Sequence, residues 1–407
     1  MSTHAQQRND FVPVLLGTEV GNYAMARAFF EEFGVTSIAY GSFPLIPTTH
    51  SRFIEVRIDP DFRDLDRFVE VLNRDAHSFG SRIPLLVSCG DDYTRLLSQA
   101  SSRLDPVYRF ACPRIDLVDK VMSKTTFYEL CEQCGAPYPK TVVLSDDHVG
   151  ELPFGFPVAL KPDDAAAYRA HPFEGQKKAY VLKTRERLEE LVHLIYGAGY
   201  PGKLIVQDFI PGADDNMRVV NGYVRADGTV SLIALGHPLL EVYSPGAIGN
   251  YAAILAYGDD DVYDMVERFI KPLGYRGFFN IDMKYDPRDG GYKLFELNPR
   301  PGRSSFYATL AGYNLARYIV DDLVDGGKLA PMRATNEVLW LGVPRWVVRR
   351  YVRNGPDKDH ALELMRAGKA GTTLFTPDDR NVRRMLTMGK LWLRYGLDYL
   401  QYFGNRA

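Results

Sequence analysis

Residues 277–305 read GFFNIDMKYDPRDGGYKLFELNPRPGRSS, and the pattern within them decides the fold. Two β-type runs, 278–284 and 292–296, flank Pro287, Asp289, Gly290 and Gly291, a polar turn cluster that predicts an antiparallel hairpin. Counting back from the turn sets Asp282 and Glu296 side by side on neighbouring strands. Asn298, two residues on, shares the face of Glu296. Two carboxylates and an amide oxygen at one spot repel unless a cation lies between them. Hard oxygen ligands of this kind suit Mg²⁺, which prefers one or two carboxylates completed by phosphate oxygens and water, so a nucleotide is expected beside it. Arg300 and Arg303 follow directly, and guanidinium groups beside a metal suit an oxyanion or a transferring phosphoryl group. The competing reading is a solvated hairpin with surface acids.

Around this segment the chain runs to 407 residues, too long for one ordinary core, so two or three domains are expected. Hydrophobic content of 46% and charged content of 25% describe a soluble globular protein. The apolar runs are short and broken, and MSTHAQQRND lacks a signal-peptide pattern, which makes a cytoplasmic protein the expectation. Four cysteines give no disulfide framework. Cys131 and Cys134 form a C-x-x-C, but without a second pair they read as core or semi-exposed thiols rather than a redox or zinc site. Charge is uneven: from Pro331 onward 14 Lys and Arg stand against 7 Asp and Glu, so a basic tail follows an acidic body.

Upstream, 11–16 is an apolar strand, and Gly17 leads into a helix from about Asn22 to Phe33 that Gly34 ends. A strand at 37–40, a helix around 65–75 and a strand at 84–88 continue the alternation, predicting a small parallel α/β domain. GTEVGN departs from G-x-G-x-x-G, which argues against a dinucleotide site. The CGDDY loop lies past the carboxyl end of its strand, where open α/β sheets bind ligands; a plain helix start with Asp91 and Asp92 on the dipole explains it equally well. From Asp119 an amphipathic helix is expected to run to Gly135, followed by strands at 141–144 and 156–162, the second ending near Lys161. Residues 163–178 lack periodicity and read as a mobile flap. A helix at 185–196, the segment KLIVQDFIPGADD and the strands MRVVNGYVR and VSLIALGHPLLE complete the middle.

The ordered set DK, PVALKP, QDFIPG and D-x13-E-L-N-P-R resembles the ATP-grasp superfamily over roughly residues 11–325. Within it, YAMARAFFEEFG, CGDDY, FYELCEQCGAPYPKT and QDFIPGADDNMR look like D-aspartate ligases and related carboxylate-amine ligases, which join an amino acid to a side-chain amine of a peptidoglycan stem peptide. The resemblance implies a mixed α/β and α+β fold. It divides into a pre-ATP-grasp domain at 1–115, a lid-bearing subdomain at 116–212, a metal-binding subdomain at 213–328 and a basic helical extension at 329–407. It also implies ATP and Mg²⁺ as cofactors. Lys120 and Lys161 would meet the nucleotide phosphates, Gln207, Asp208, Phe209 and Ile210 would face adenine, and Asp214 would bind ribose. Asp282, Glu296 and Asn298 would hold Mg²⁺, with Arg300 and Lys161 catalytic. Where many relatives carry a glycine-rich phosphate loop this chain has DDAAAYRAHPFEGQKK, so phosphate closure would fall to backbone and to Lys177 or Lys178.

The implied chemistry activates a carboxylate as an acyl phosphate, which an amine then attacks. For the remaining carboxylate of an amino acid donor such as D-aspartate, Arg218, Arg303 and the Ser304–Ser305 pair are the candidates; Arg218 also reads as a cross-strand charge. His237 is expected to be structural. Joining of free amino acids or another metabolite, and an ATP-binding interaction module without turnover, stand as competing functions. The tail segments LWLGVPRWVVRRYVR and VRRMLTMGKLWLRYGLDYLQYF are compatible with amphipathic helices, either capping the ligase body or meeting an anionic membrane surface, with the cap favoured. No nucleic-acid motif accompanies the basic residues.

Overall fold

In the computed structural model, which describes residues 7–244 and 247–405, three sheets follow one another along the chain. The first is fully parallel, in the order Ile54–Ile58, Ser37–Gly41, Phe11–Leu16, Ile83–Ser88. Phe11–Leu16 is buried at every position, as expected for a strand with neighbours on both sides and helices on both faces. Its helix Val20–Phe33 opens on a capping box between Glu19 and Asn22 and stops at Gly34, whose φ of 65° is a left-handed termination. Leu65–Asp75 forms as expected under an Asp64 cap. Sequence reading did not anticipate the edge strand Ile54–Ile58, because only Ile54 of its five residues is fully buried.

The single helix expected from Asp119 is two helices, Ile115–Met122 and Lys124–Gln133. Ser123 divides them: its extended backbone ends the first, and its hydroxyl accepts the Thr126 N–H to cap the second. The break resets the helical phase between Lys120 and Lys124.

The second sheet is antiparallel, in the order Thr141–Leu144, Leu204–Asp208, Val158–Pro162, Tyr180–Leu182, and Arg185–Gly197 packs on it. The segment expected to be a flap contains the helix Ala165–Ala170 and leads into Tyr180–Leu182.

The third sheet has eight strands, ordered Gly291–Asn298, Gly277–Asp286, Met217–Val224, Val230–Glu241, Tyr251–Tyr257, Val338–Leu341, Ala370–Gly371, with Met332–Arg333 beside Val230–Glu241. The expected boundary at 328/329 therefore runs through one sheet. Val338–Leu341 is a strand, not part of an amphipathic helix. All four of its residues are buried, which a helix with one solvated face does not allow.

Beyond it the two expected segments are helical, Arg345–Tyr351 and Val382–Tyr402, and between them lies a further helix, Pro356–Arg366. Val382–Tyr402 is anchored by Arg384, which is 1% exposed. Its guanidinium pairs with Asp379 at 2.7 Å and donates to the carbonyls of Pro47 and Thr49, at 3.0 and 2.9 Å, while lying 4.1 Å from the centre of the Tyr23 ring. Asp379 also accepts from Tyr23 Oη, Ser51 Oγ and the Arg52 N–H. The inner face of the tail is thus a cap clasping the first domain. Among the described residues no helix is long and apolar enough to cross a membrane.

Candidate active site

The hairpin forms with the predicted register: Asp282 lies opposite Glu296, and Asn280 opposite Asn298. Immediately beyond, the ladder slips, so Met283 faces Leu294 and Phe295 is left unpaired as a bulge. Phe295 turns its ring under Lys161, whose Nζ sits 5.0 Å from the ring centre. The bulge therefore joins the two later sheets where their charges meet.

Burial and the neighbouring Glu296 push the Asp282 carboxyl well above its ordinary range, while Asp282 Oδ1 accepts from Tyr251 Oη at 2.8 Å. Burial also works to raise Glu296. It is outweighed by the hydrogen bond from Asp282 and the charge of Lys124, so Glu296 is held below its ordinary value. Two carboxyls sharing one proton, Asp282 partly buried and Glu296 exposed, are a pair that a divalent cation can take over. Asn298 adds an amide next to them, its Nδ2 3.4 Å from Glu296 Oε1 and its Oδ1 accepting from Arg300 Nη2 at 3.3 Å. Two carboxylates and an amide fit Mg²⁺ better than a thiol- or imidazole-seeking metal. Among the described residues no cluster of three or more His, Cys, Asp and Glu offers a different metal site.

Cations surround the pair. Burial lowers Lys161 to about 8, against the attraction of Glu296. Lys124 lines a cavity of about 170 Å³ together with Glu296, Asn298, Phe127 and Asp91. Lys120, the lysine expected here, is exposed on the preceding helix, and its carbonyl accepts from Thr126 Oγ1. The Ser123 break sets Lys124, not Lys120, beside the acids, where its charge acts on Glu296. Lys177 and Lys178 are both exposed; Lys178 reaches the Ile248 carbonyl at 3.3 Å and lowers Lys161 electrostatically.

Arg300 is a junction. Its Nε and Nη2 donate to the two carboxylate oxygens of Asp91 at 2.7 and 3.0 Å, in addition to the Asn298 contact. The CGDDY loop is thereby part of the site. Asp91 also lines a second cavity of about 230 Å³ that contains Glu19, Arg63, Cys89, Asp92, Asn250, Arg300 and Arg303. Arg303 is exposed at its edge, and Ser304 and Ser305 are buried behind it.

Arg218 is not brought to this cavity. It lies opposite Met283, one residue past Asp282 and so on the other face of the strand. There it donates to Tyr257 Oη and to the carbonyls of Asp215 and Met217. The cross-strand reading holds for it, and Arg63 supplies the second cation that sequence reasoning missed. His237 donates from Nε2 to the Asp215 carbonyl at 2.7 Å; burial and the nearby Arg218 lower it to about 4, which leaves it neutral and structural.

At the far end of the cleft Gln207 is buried, donating to Thr141 Oγ1 at 3.0 Å. Asp208 makes a two-pronged ion pair with Arg288. Lys284, also missed, stands 5.2 Å from the centre of the Phe209 ring and donates to the Ile210 and Gly212 carbonyls, both at 2.9 Å. Asp214 accepts from Tyr243 Oη and the Glu241 N–H. Burial, then Asp214, raises the Glu241 carboxyl to about 7. Cys131 is buried and Cys134 partly so, both as free thiols.

No family model matches the chain. It is 42% identical over 413 aligned residues, 98% of either protein, to D-aspartate ligase of Enterococcus faecium (strain Aus0004). Among solved structures, N5-carboxyaminoimidazole synthetase from Staphylococcus aureus superposes with a TM-score of 0.61 at 12% identity, covering 82% of this chain and 83% of that one. L-amino acid ligase from Bacillus licheniformis gives 0.55 at 13% identity, covering 80% and 78%. The structural likenesses fix the fold and the full-length identity fixes the relationship: the chain belongs to the D-aspartate ligase family, ATP-dependent carboxylate-amine ligases built on the ATP-grasp fold.

Proposed function

We propose that this ligase joins D-aspartate to a side-chain amine of a peptidoglycan precursor through an acyl phosphate, on the cytoplasmic side where ATP is made. The observation that carries the reading is the meeting of the Asp282 and Glu296 carboxyls, ringed by Lys124, Lys161 and Arg300, with a cavity bearing both cations and acids.

Asp282, Glu296 and Asn298 would hold Mg²⁺, which when bound neutralises phosphate oxygens of ATP. Lys161 and Lys124 are the cations available to the phosphates, and Lys178 closes over them from the lid. A carboxylate oxygen of the donor attacks the γ-phosphorus, the bond to the bridging oxygen breaks, and ADP leaves. Arg300, held by Asp91, supplies charge to the equatorial oxygens of the transferring group. The acceptor nitrogen then attacks the acyl carbon, the carbon–oxygen bond to phosphate breaks, and the amine proton passes to phosphate or water. No covalent enzyme intermediate is needed. Arg63 and Arg303 are suited to the donor's second carboxylate and Glu19 or Asp92 to its ammonium, a division of charge that favours an acidic amino acid.

Phosphate release measured over D- and L-amino acids, each with and without a UDP-linked muropeptide, tests this. Release that requires D-aspartate and the muropeptide together is the expected result. Equal release with neutral amino acids, or release independent of the muropeptide, overturns the substrate assignment.

A further inference from the structure

The outer face of the terminal helix Val382–Tyr402 is uncovered. Val382, Leu386, Leu393, Leu397 and Leu400 remain 77, 62, 60, 50 and 53% exposed. With Gly389 between them they recur every three or four residues, which keeps them on one line. A Cβ built on Gly389 would meet nothing within 4 Å, so the line is open there too. The opposite side, with Arg384, Met388 and Tyr399, is the one packed on the protein, while Gly396, which falls on the line of the row between Leu393 and Leu400, is buried under Trp346 and Pro344. Single exposed leucines are ordinary; a row of them is not.

The row has a basic border. Arg383, Lys390 and Arg394 each follow a residue of the row by one position and are exposed. Trp346, 38% exposed, abuts the helix at Gly396, where an added Cβ would lie 2.7 Å from its ring. Arg345 and Arg349 are exposed on Trp346's own helix. Asp398 is the single acid within Val382–Tyr402, and it is partly buried.

We propose that this face docks on an anionic phospholipid bilayer, the helix lying in the membrane plane with its leucines at the acyl boundary and its Lys and Arg on the headgroups. Charge complementarity selects this occupant. Two copies joined through the row would set one basic border against another with no facing acids, whereas an anionic surface answers every cation. Among the described helices none can cross a membrane, so the association is peripheral.

Sedimentation of the full-length protein with phosphatidylcholine vesicles, with and without phosphatidylglycerol, tests it. Binding should require phosphatidylglycerol and weaken with added salt. The variant Leu386→Glu, Leu393→Glu, Leu397→Glu should bind about tenfold less or weaker while phosphate release in solution stays at the wild-type rate. A second variant, Arg383→Glu, Lys390→Glu, Arg394→Glu, keeps the apolar row and should lose the preference for phosphatidylglycerol. Wild-type protein that ignores these vesicles, a leucine variant that binds like wild type, or a dimer in sedimentation equilibrium that the leucine variant dissolves would each overturn the proposal.

Discussion

Replacing Asp91 with Asn keeps the shape of the side chain and removes the charge that grips Arg300. Two hydrogen bonds, at 2.7 and 3.0 Å, join the groups. In a dry site each charged hydrogen bond would contribute about 1.5–3 kcal/mol. Asp91 is 40% exposed, so solvent screening leaves about 1–2 kcal/mol for the pair, too little to unfold the protein. The larger effect should be on rate. Arg300 would keep only its weaker contacts with Asn298 and the Pro301 carbonyl, and misplacement by about 1 Å of a group acting on the transition state costs on the order of 100-fold. The expected kcat for phosphate release is therefore about 10- to 100-fold below wild type, with KM for ATP nearly unchanged. Because Asp91 acts through Arg300, the double variant Asp91→Asn, Arg300→Ala should be no slower than Arg300→Ala, itself down about 100-fold or more. Wild-type kcat in Asp91→Asn, or fully additive losses in the double variant, would refute the positioning role.

Glu296→Gln should abolish phosphate release with the fold intact by circular dichroism, and near-normal rates at saturating Mg²⁺ would remove Glu296 from the metal site. Lys124→Met should raise KM for ATP about tenfold or more, while Lys120→Met leaves it unchanged, the reverse result restoring the sequence-based assignment. The pH dependence of stability should carry a signature of His237, which burial lowers from 6.5 to about 4. Between those values the unfolded chain binds a proton that the folded chain refuses, so stability is lost as pH falls, by about 3 kcal/mol across the window. Urea unfolding of His237→Asn should lack that part of the slope; identical slopes would count against a neutral, buried imidazole.

The hairpin was legible because a polar turn between two β-type runs marks it and the residues carrying the chemistry flank it; unbroken counting from the turn would set Asp282 opposite Phe295, and the one-residue slip there is what brings it opposite Glu296. The bulge at Phe295 was not legible, since a one-residue slip leaves no mark in hydrophobic alternation. Lys120 was chosen because DK stands at the head of an amphipathic run, and a serine at 123 is an ordinary helix residue until its backbone is seen to turn. Arg218 failed on parity: one residue along a strand reverses the face. Arg63 and Asp91 lie some two hundred residues from Arg300, and long-range convergence of loops has no local signal. The strand Val338–Leu341 hid behind flanking arginines that gave its surroundings a helical periodicity.

The clasp between Arg384, Asp379 and Tyr23 has a bearing on biosynthesis. Arg27 likewise donates to the carbonyls of Thr372 and Thr373, so the α/β domain is sealed by residues 345 to 356 positions further along the chain. On the ribosome, the α/β module emerges with those surfaces bare until that downstream stretch has been translated. A premature stop ahead of Thr372 would therefore cost the α/β module these partners, at a site remote from the lesion in sequence.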